Sequence, residues 1–231
     1  MIISLSLLKI VEVIDMEELN SDFQSFIDFQ KTEDGKKEIF DDWHKLKSGY
    51  FTKSYIYLEW IVLRILYAMD LNKYNIKSYI RLDDNFKPIH QAGSNKPDIV
   101  IFDIKKSYAL EITERPILGK IEHYSHIDYV LNEYKTDSCI GILLTIPSIQ
   151  KIPSEVWNSY NDYYTRFGKL FMTFSIEFLI SLINFDNNIT DIICFYLEES
   201  ENIWSTGKSW KEIKNSIILL ESKTLKNNSI D

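Results

Sequence analysis

Asp98 and Glu111 lie on either side of what reads as a tight chain reversal. The stretch runs Pro97-Asp98-Ile99-Val100-Ile101-Phe102, passes Lys105-Lys106-Ser107, and continues Tyr108-Ala109-Leu110-Glu111-Ile112-Thr113. Apolar runs at 99–102 and 108–112 around a polar turn at 105–107 predict a β-hairpin. Such a hairpin brings both acids to the same end of a sheet. Two carboxylates converging there make an all-oxygen site suited to a hard divalent cation, which is what metal-assisted phosphodiester hydrolysis requires. The bland alternative is a pair of solvated strand-end acids. Glu111 argues against it, because a carboxylate between Leu110 and Ile112 loses its hydration unless it is paired or metal-bound.

Other side chains could join this pair. Glu59 is the only acid between Tyr50 and Met69, flanked by Leu58 and Trp60. It reads either as a solvated helix position or as a carboxylate turned toward the sheet, touching the metal directly or through a water. Glu122 and His126 are four apart and share one helix face. They read as a surface ion pair, or as a second ligand or water-orienting carboxylate with a histidine nearby. His126 alone suits a structural role or a phosphate contact better than a base. A site of this kind usually carries a lysine two positions after the glutamate, and here that position is Thr113. Its hydroxyl can hydrogen-bond a water but carries no charge. Arg115 or Lys120 could supply the cation, as could a second metal. Lys87, Lys96, Lys120 and Arg115 are the basic residues near the expected site, with Lys96, Lys120 and His126 as candidate phosphate or DNA contacts.

Helices and strands must position these residues. The first fifty residues read as mostly helical, with 16–29 amphipathic and a polar break at 31–37. A strong helix covers 54–69, with Ser54 as its expected N-cap and Tyr55, Leu58, Ile61, Val62, Ile65 and Leu66 at helical spacing. A strand is expected at 76–82 ahead of the hairpin and a helix at 117–134 after it. The almost wholly apolar run 139–146 suits a central strand buried on both faces. A helix at 154–166, a strand at 169–174 and a helix at 176–184 capped by Ser175 follow. Residues 189–197 read as a strand or a buried helix, and 204–220 as a C-terminal helix. The expected fold is an α/β domain built on a small mixed β-sheet flanked by helices. Its divisions are an N-terminal helical segment at 1–50, a core at 51–200, and a C-terminal helix and tail at 201–231.

Composition narrows the function further. A hydrophobic content of 45% over 231 residues supports one packed core. The net charge of −8 argues against an autonomous nucleic-acid binder, since Lys and Arg supply most non-specific affinity for phosphates. An enzyme acting on DNA remains compatible if a partner brings the positive surface. Cys139 and Cys194 read as buried thiols with no disulfide or zinc spacing. The apolar N-terminus lacks a basic leader and a cleavage site, and no stretch is long and charge-free enough to span a bilayer, so a cytoplasmic protein is expected.

Taken in order, these motifs resemble the PD-(D/E)XK nuclease superfamily. They are most similar to the catalytic domains of type IIS restriction endonucleases and of the related nicking endonucleases, across roughly residues 50–185. That group replaces the lysine with threonine, which Glu111-Ile112-Thr113 matches. It carries a helical Glu before the sheet, like Glu59 in Leu58-Glu59-Trp60. The turn Ala92-Gly93-Ser94-Asn95-Lys96-Pro97-Asp98, the later Glu122 and His126, the strand 140–147 and the run Thr173-Phe174-Ser175-Ile176-Glu177-Phe178 also fit its pattern. The resemblance implies Mg²⁺-dependent cleavage of one strand of double-stranded DNA. Asp98 and Glu111 would hold the ion, and Glu59, Thr113 and Glu122 would complete the catalytic set. The large DNA-recognition half of full-length relatives has no counterpart in these residues. The resemblance therefore implies the small subunit of a heterodimeric restriction enzyme, working with a large recognition and nicking subunit. Two alternatives are a non-catalytic nuclease-like interaction module and a self-sufficient homodimeric defence nuclease.

Overall fold

The computed structural model describes residues 21–71, 74–93, 96–114, 121–147, 151–169 and 171–183, with 202, 206, 211–212, 214–216, 218–219 and 222. Its centre is α3 (Ser54–Ala68), a helix so apolar that nearly all of it is buried. Lys53, not Ser54, takes the N-cap position, and no side chain caps the first turn. The helices α1 (Ser21–Lys31) and α2 (Glu33–Lys47) pack on it. The expected break at 31–37 shrinks to Thr32, whose hydroxyl accepts from the Gly35 N–H at 3.1 Å and starts α2 at once. Arg64 of α3 is 1% exposed. It donates to Gln30 Oε1 at 2.7 Å, Asp42 Oδ2 at 2.6 Å and Glu38 Oε2 at 3.2 Å, so its buried charge joins α1 and α2 to α3.

The expected strand at 76–82 divides into β1 (Asn75–Ser78) and β2 (Arg81–Leu82), and β2 pairs with β3 (Pro88–His90) in a separate ribbon. The hairpin forms from β4 (Ile99–Phe102) and β5 (Lys106–Thr113), antiparallel, with Ile99 opposite Leu110 and Phe102 opposite Ser107. Its turn comes earlier than the polar run suggests. The Asp103 carboxylate accepts from the Lys105 and Lys106 N–H groups at 2.7 and 2.6 Å, so the strand resumes at Lys106.

The chain then builds α4 (Ile121–Tyr134), β6 (Ser138–Thr145), α5 (Ser154–Phe167), β7 (Phe171–Ser175) and α6 (Ile176–Leu182). Ser175 caps α6 by accepting from the Phe178 N–H at 3.2 Å. The sheet order is β1-β4-β5-β6-β7; β5, β6 and β7 run parallel, as their helical crossovers require, and β1 and β4 are antiparallel to their neighbours. This is a mixed sheet of five strands flanked by helices. Cys139 is a buried free thiol, and Cys194 lies outside the described residues, as do the runs 1–20 and 189–197 and most of 204–220.

Gly141 lets α4 and β7 close on the middle of β6. A Cβ there would lie 2.2 Å from Phe171 Cδ2 and 3.0 Å from Ile127 Cδ1. Gly141→Ala should cost ~1–3 kcal/mol in chemical denaturation, because a ring packed in the core must move. A midpoint equal to that of the parent protein would contradict this packing.

Candidate active site

The β4–β5 register carries the central pair. One step beyond Ile99 opposite Leu110 lie Asp98 and Glu111, on neighbouring strands at one end of the hairpin. The Asp98 N–H donates to Leu110 O at 3.0 Å, and Asp98 Oδ2 accepts from the Ile112 N–H at 2.7 Å. The aspartate is thus fixed against β5 by both its backbone and its side chain. Strand alternation puts Glu111 and Thr113 on one face of β5.

α4 covers that face. His126 Nδ1 meets Glu111 Oε1 in a short contact, and both side chains are buried at 5% exposure. The histidine is a partner of the carboxylate and not a surface group. Glu59 approaches from α3, also at 5% exposure, and its Oε2 accepts from the Ala92 N–H at 3.2 Å in the loop before β4. A lone acid in the helix hints at such a role. The Ala92 amide, a backbone group in a loop, has no sequence signal.

The three carboxyls act on one another. Burial pushes Glu59 up to about 7, with the charge of Glu111 adding to the rise and the Ala92 N–H opposing it. Burial also lifts Asp98 well above the usual carboxylate range, reinforced by the charges of Glu59 and Glu111 and opposed by the Ile112 N–H. Glu111 is raised by burial, with His126 holding it down. Among the described residues no three His, Cys, Asp or Glu side chains close around one point. Each of the three carboxylates has an oxygen engaged by a group of this chain: Ala92, Ile112 or His126.

The donor set nevertheless suits a magnesium ion, which is commonly held by one or two carboxylates and keeps its remaining places for water and phosphate. A cation would also offset the repulsion that raises these carboxyls. Thr113 lies two residues beyond Glu111 on β5 and pairs in register with Thr145 of β6. The side chains of Glu122 and His123 lie outside the described residues, and so do Arg115 and Lys120. Lys96 is exposed, two residues before Asp98, and Lys87 lies over the Trp60 ring at 4.5 Å.

The model of the AlwI restriction endonuclease family matches residues 7–115, a stretch that contains Glu59, Asp98 and Glu111 and stops short of α4. No curated protein matches the chain. Among solved structures, the small subunit of the heterodimeric restriction endonuclease R.BspD6I superimposes with a TM-score of 0.55 at 15% identity, covering 87% of this chain and 98% of that one. The two chains share a fold, in this chain a five-stranded mixed sheet flanked by helices.

Proposed function

We propose that this chain is the Mg²⁺-dependent catalytic subunit of a type IIS, PD-(D/E)XK-like restriction endonuclease, cutting one strand of double-stranded DNA beside a separate recognition subunit. The observation that carries this reading is the register that sets Asp98 against Glu111, with Glu59 within reach of both charges. The restriction-family match and the shared fold with a restriction-enzyme subunit support it. The net charge of −8 fits a chain that depends on a partner for most of its hold on DNA.

In this reading Asp98 and Glu111 hold the ion. Bound there, magnesium supplies a Lewis acid for the phosphoryl oxygens and a water of lowered pKa. The chain does the rest. The Ile112 N–H fixes Asp98, and His126 fixes Glu111 and favours its ionised form. Glu59, raised by burial to about 7 in the metal-free chain, lies beside the acid pair as the carboxyl suited to take a proton from water. As the water oxygen attacks phosphorus and one P–O ester bond breaks, a carboxylate oxygen of Glu59 takes the proton that the water gives up, and the leaving ester oxygen departs as a hydroxyl by taking a proton from solvent. The Thr113 hydroxyl orients that water in place of a charged lysine, and Glu122 of α4 completes the set.

The direct test is plasmid nicking with Mg²⁺, with and without the recognition subunit, comparing the parent protein with Asp98→Ala and Glu111→Ala. Loss in both variants supports the proposal, and activity that survives both ends it. His126→Ala gives a finer test. Without the histidine Glu111 rises further, so nicking should fall ~10–100-fold and the ascending limb of the pH–rate profile should move to higher pH. An unmoved limb would mean that His126 serves packing alone.

A further inference from the structure

Beside the acids, toward the β1 edge of the described sheet, lies a second polar cluster. Tyr79 follows β1, and its N–H donates to Asp98 O at 3.1 Å. The β1–β4 register, in which Lys77 faces Val100 and Ser78 faces Ile99, puts Lys77 and Tyr79 on the same face as Asp98, under α4. The Tyr79 hydroxyl meets that of Tyr129 at 3.2 Å and that of Tyr134 at 2.9 Å. Phe102 packs on the Tyr134 ring at 4.3 Å. Two ammonium groups lie over these rings. Lys96 is 4.9 Å from Tyr79 and 5.8 Å from Tyr129, and Lys77 is 5.5 Å from Tyr79 and 5.7 Å from Tyr134.

Proton counting gives the cluster a direction. Three phenols carry three O–H donors, and the two contacts among them consume two. One hydroxyl proton is left for a group outside the trio. Burial keeps Tyr79 and Tyr134 protonated, raising Tyr134 to about 12, so the cluster offers donors and no phenolate. A phenolic donor between two ammonium groups is complementary to a phosphate oxygen. Glu111, Asp98 and Tyr79 lie across three neighbouring segments, so the cluster sits two strand spacings, ~10 Å, from Glu111 along the sheet. The Lys cations stacked on aromatic faces complete a surface that follows a backbone without reading its bases.

From this geometry we infer that Lys77, Lys96 and the Tyr79–Tyr129–Tyr134 hydroxyl cluster form a docking surface for a DNA backbone phosphate flanking the bond to be cut. This deepens the proposed function and rests on it for the position of the scissile bond. The test is fluorescence anisotropy with a labelled mixed-sequence DNA duplex, metal omitted, across a series of salt concentrations. The double variant Lys77→Ala/Lys96→Ala should bind ~10-fold more weakly at low salt and reduce the slope of log affinity against log salt by about 1, as expected for one phosphate no longer neutralised. Lys96→Glu, at an exposed position that leaves the fold alone, should lower the affinity further than Lys96→Ala. Tyr134→Phe should weaken binding several-fold without changing the slope. An unchanged slope in the double variant, or a parent protein that binds no duplex even at the lowest salt, overturns the inference. Asp98→Asn separates the two proposals. It should bind duplex at least as well as the parent while losing cleavage, and cleavage that persists in it defeats the catalytic reading without touching the slope.

Discussion

Replacing Asp98 by alanine is expected to lower the nicking rate by ~10³-fold or more, because one of the two carboxylates proposed to hold the cation is gone and metal catalysis supplies several kcal/mol. Glu111→Ala should match it. The double variant should lose little beyond either single one, since groups acting as a unit are not additive. Folding should not suffer in step. Asp98 is held well above the usual carboxylate range by burial and by its two acidic neighbours, so its ionised form is a strained tenant of the metal-free protein. Asp98→Asn keeps the shape and removes that charge, and its melting temperature at pH 8 should equal or exceed that of the parent. A variant that loses both stability and cleavage would point to a structural role for Asp98. One that cleaves within tenfold of the parent would remove it from the catalytic set.

The pH dependence of stability should carry the mark of the same cluster. Glu59, Asp98 and Glu111 are all raised in the folded chain. The folded state therefore holds more protons than the unfolded state between the ordinary carboxylate range and neutrality, and stability falls as pH rises through that window. For Glu59, raised from 4.5 to about 7, the cost at pH 8 is on the order of 3 kcal/mol. It vanishes below pH ~4, where both states are protonated. Magnesium should offset this cost where it exists, raising the melting temperature at pH 8 and leaving it nearly unchanged at pH 5, because the ion competes with protons for the same oxygens. Glu59→Gln should flatten the metal-free profile. A metal-free melting temperature that climbs steadily from pH 5 to pH 8 would contradict the mutual repulsion on which the site is built.

How legible this site is in the sequence depends on the range of the interaction that fixes each part. The hairpin is local, and two apolar runs about a polar turn suffice to place Asp98 and Glu111 on paired strands. Its turn is misplaced by a few residues because Asp103 forms its own side-chain turn with the two following lysine amides, which the run of polar residues hides. Ser175 is legible as a cap and functions as one, whereas the cap expected at Ser54 falls to Lys53 because tertiary burial, not a side chain, starts α3. The strand expected at 76–82 divides because pairing with β4 ends at Tyr79, whose N–H still reaches Asp98 O, and Arg81 and Leu82 pair with β3 instead.

Glu59 stands out as a lone acid in an apolar helix, yet its anchor is a loop amide that no residue type announces. His126 stands out for its spacing from Glu122. Its observed partner is Glu111, on a strand fifteen residues earlier, and that contact exists only once α4 folds back over β5. The phenol cluster escapes the sequence altogether, since Tyr79 lies fifty residues from Tyr129 and the sheet edge alone brings them together.

The proposal that Asp98 and Glu111 hold one cation beside Glu59 is tested most directly by calorimetric titration of the metal-free protein with Mn²⁺ at pH 8. Binding in the parent protein, lost in Asp98→Asn and in Glu111→Gln, is the expected result. No binding at millimolar metal, or equal binding by the parent and both variants, would contradict it.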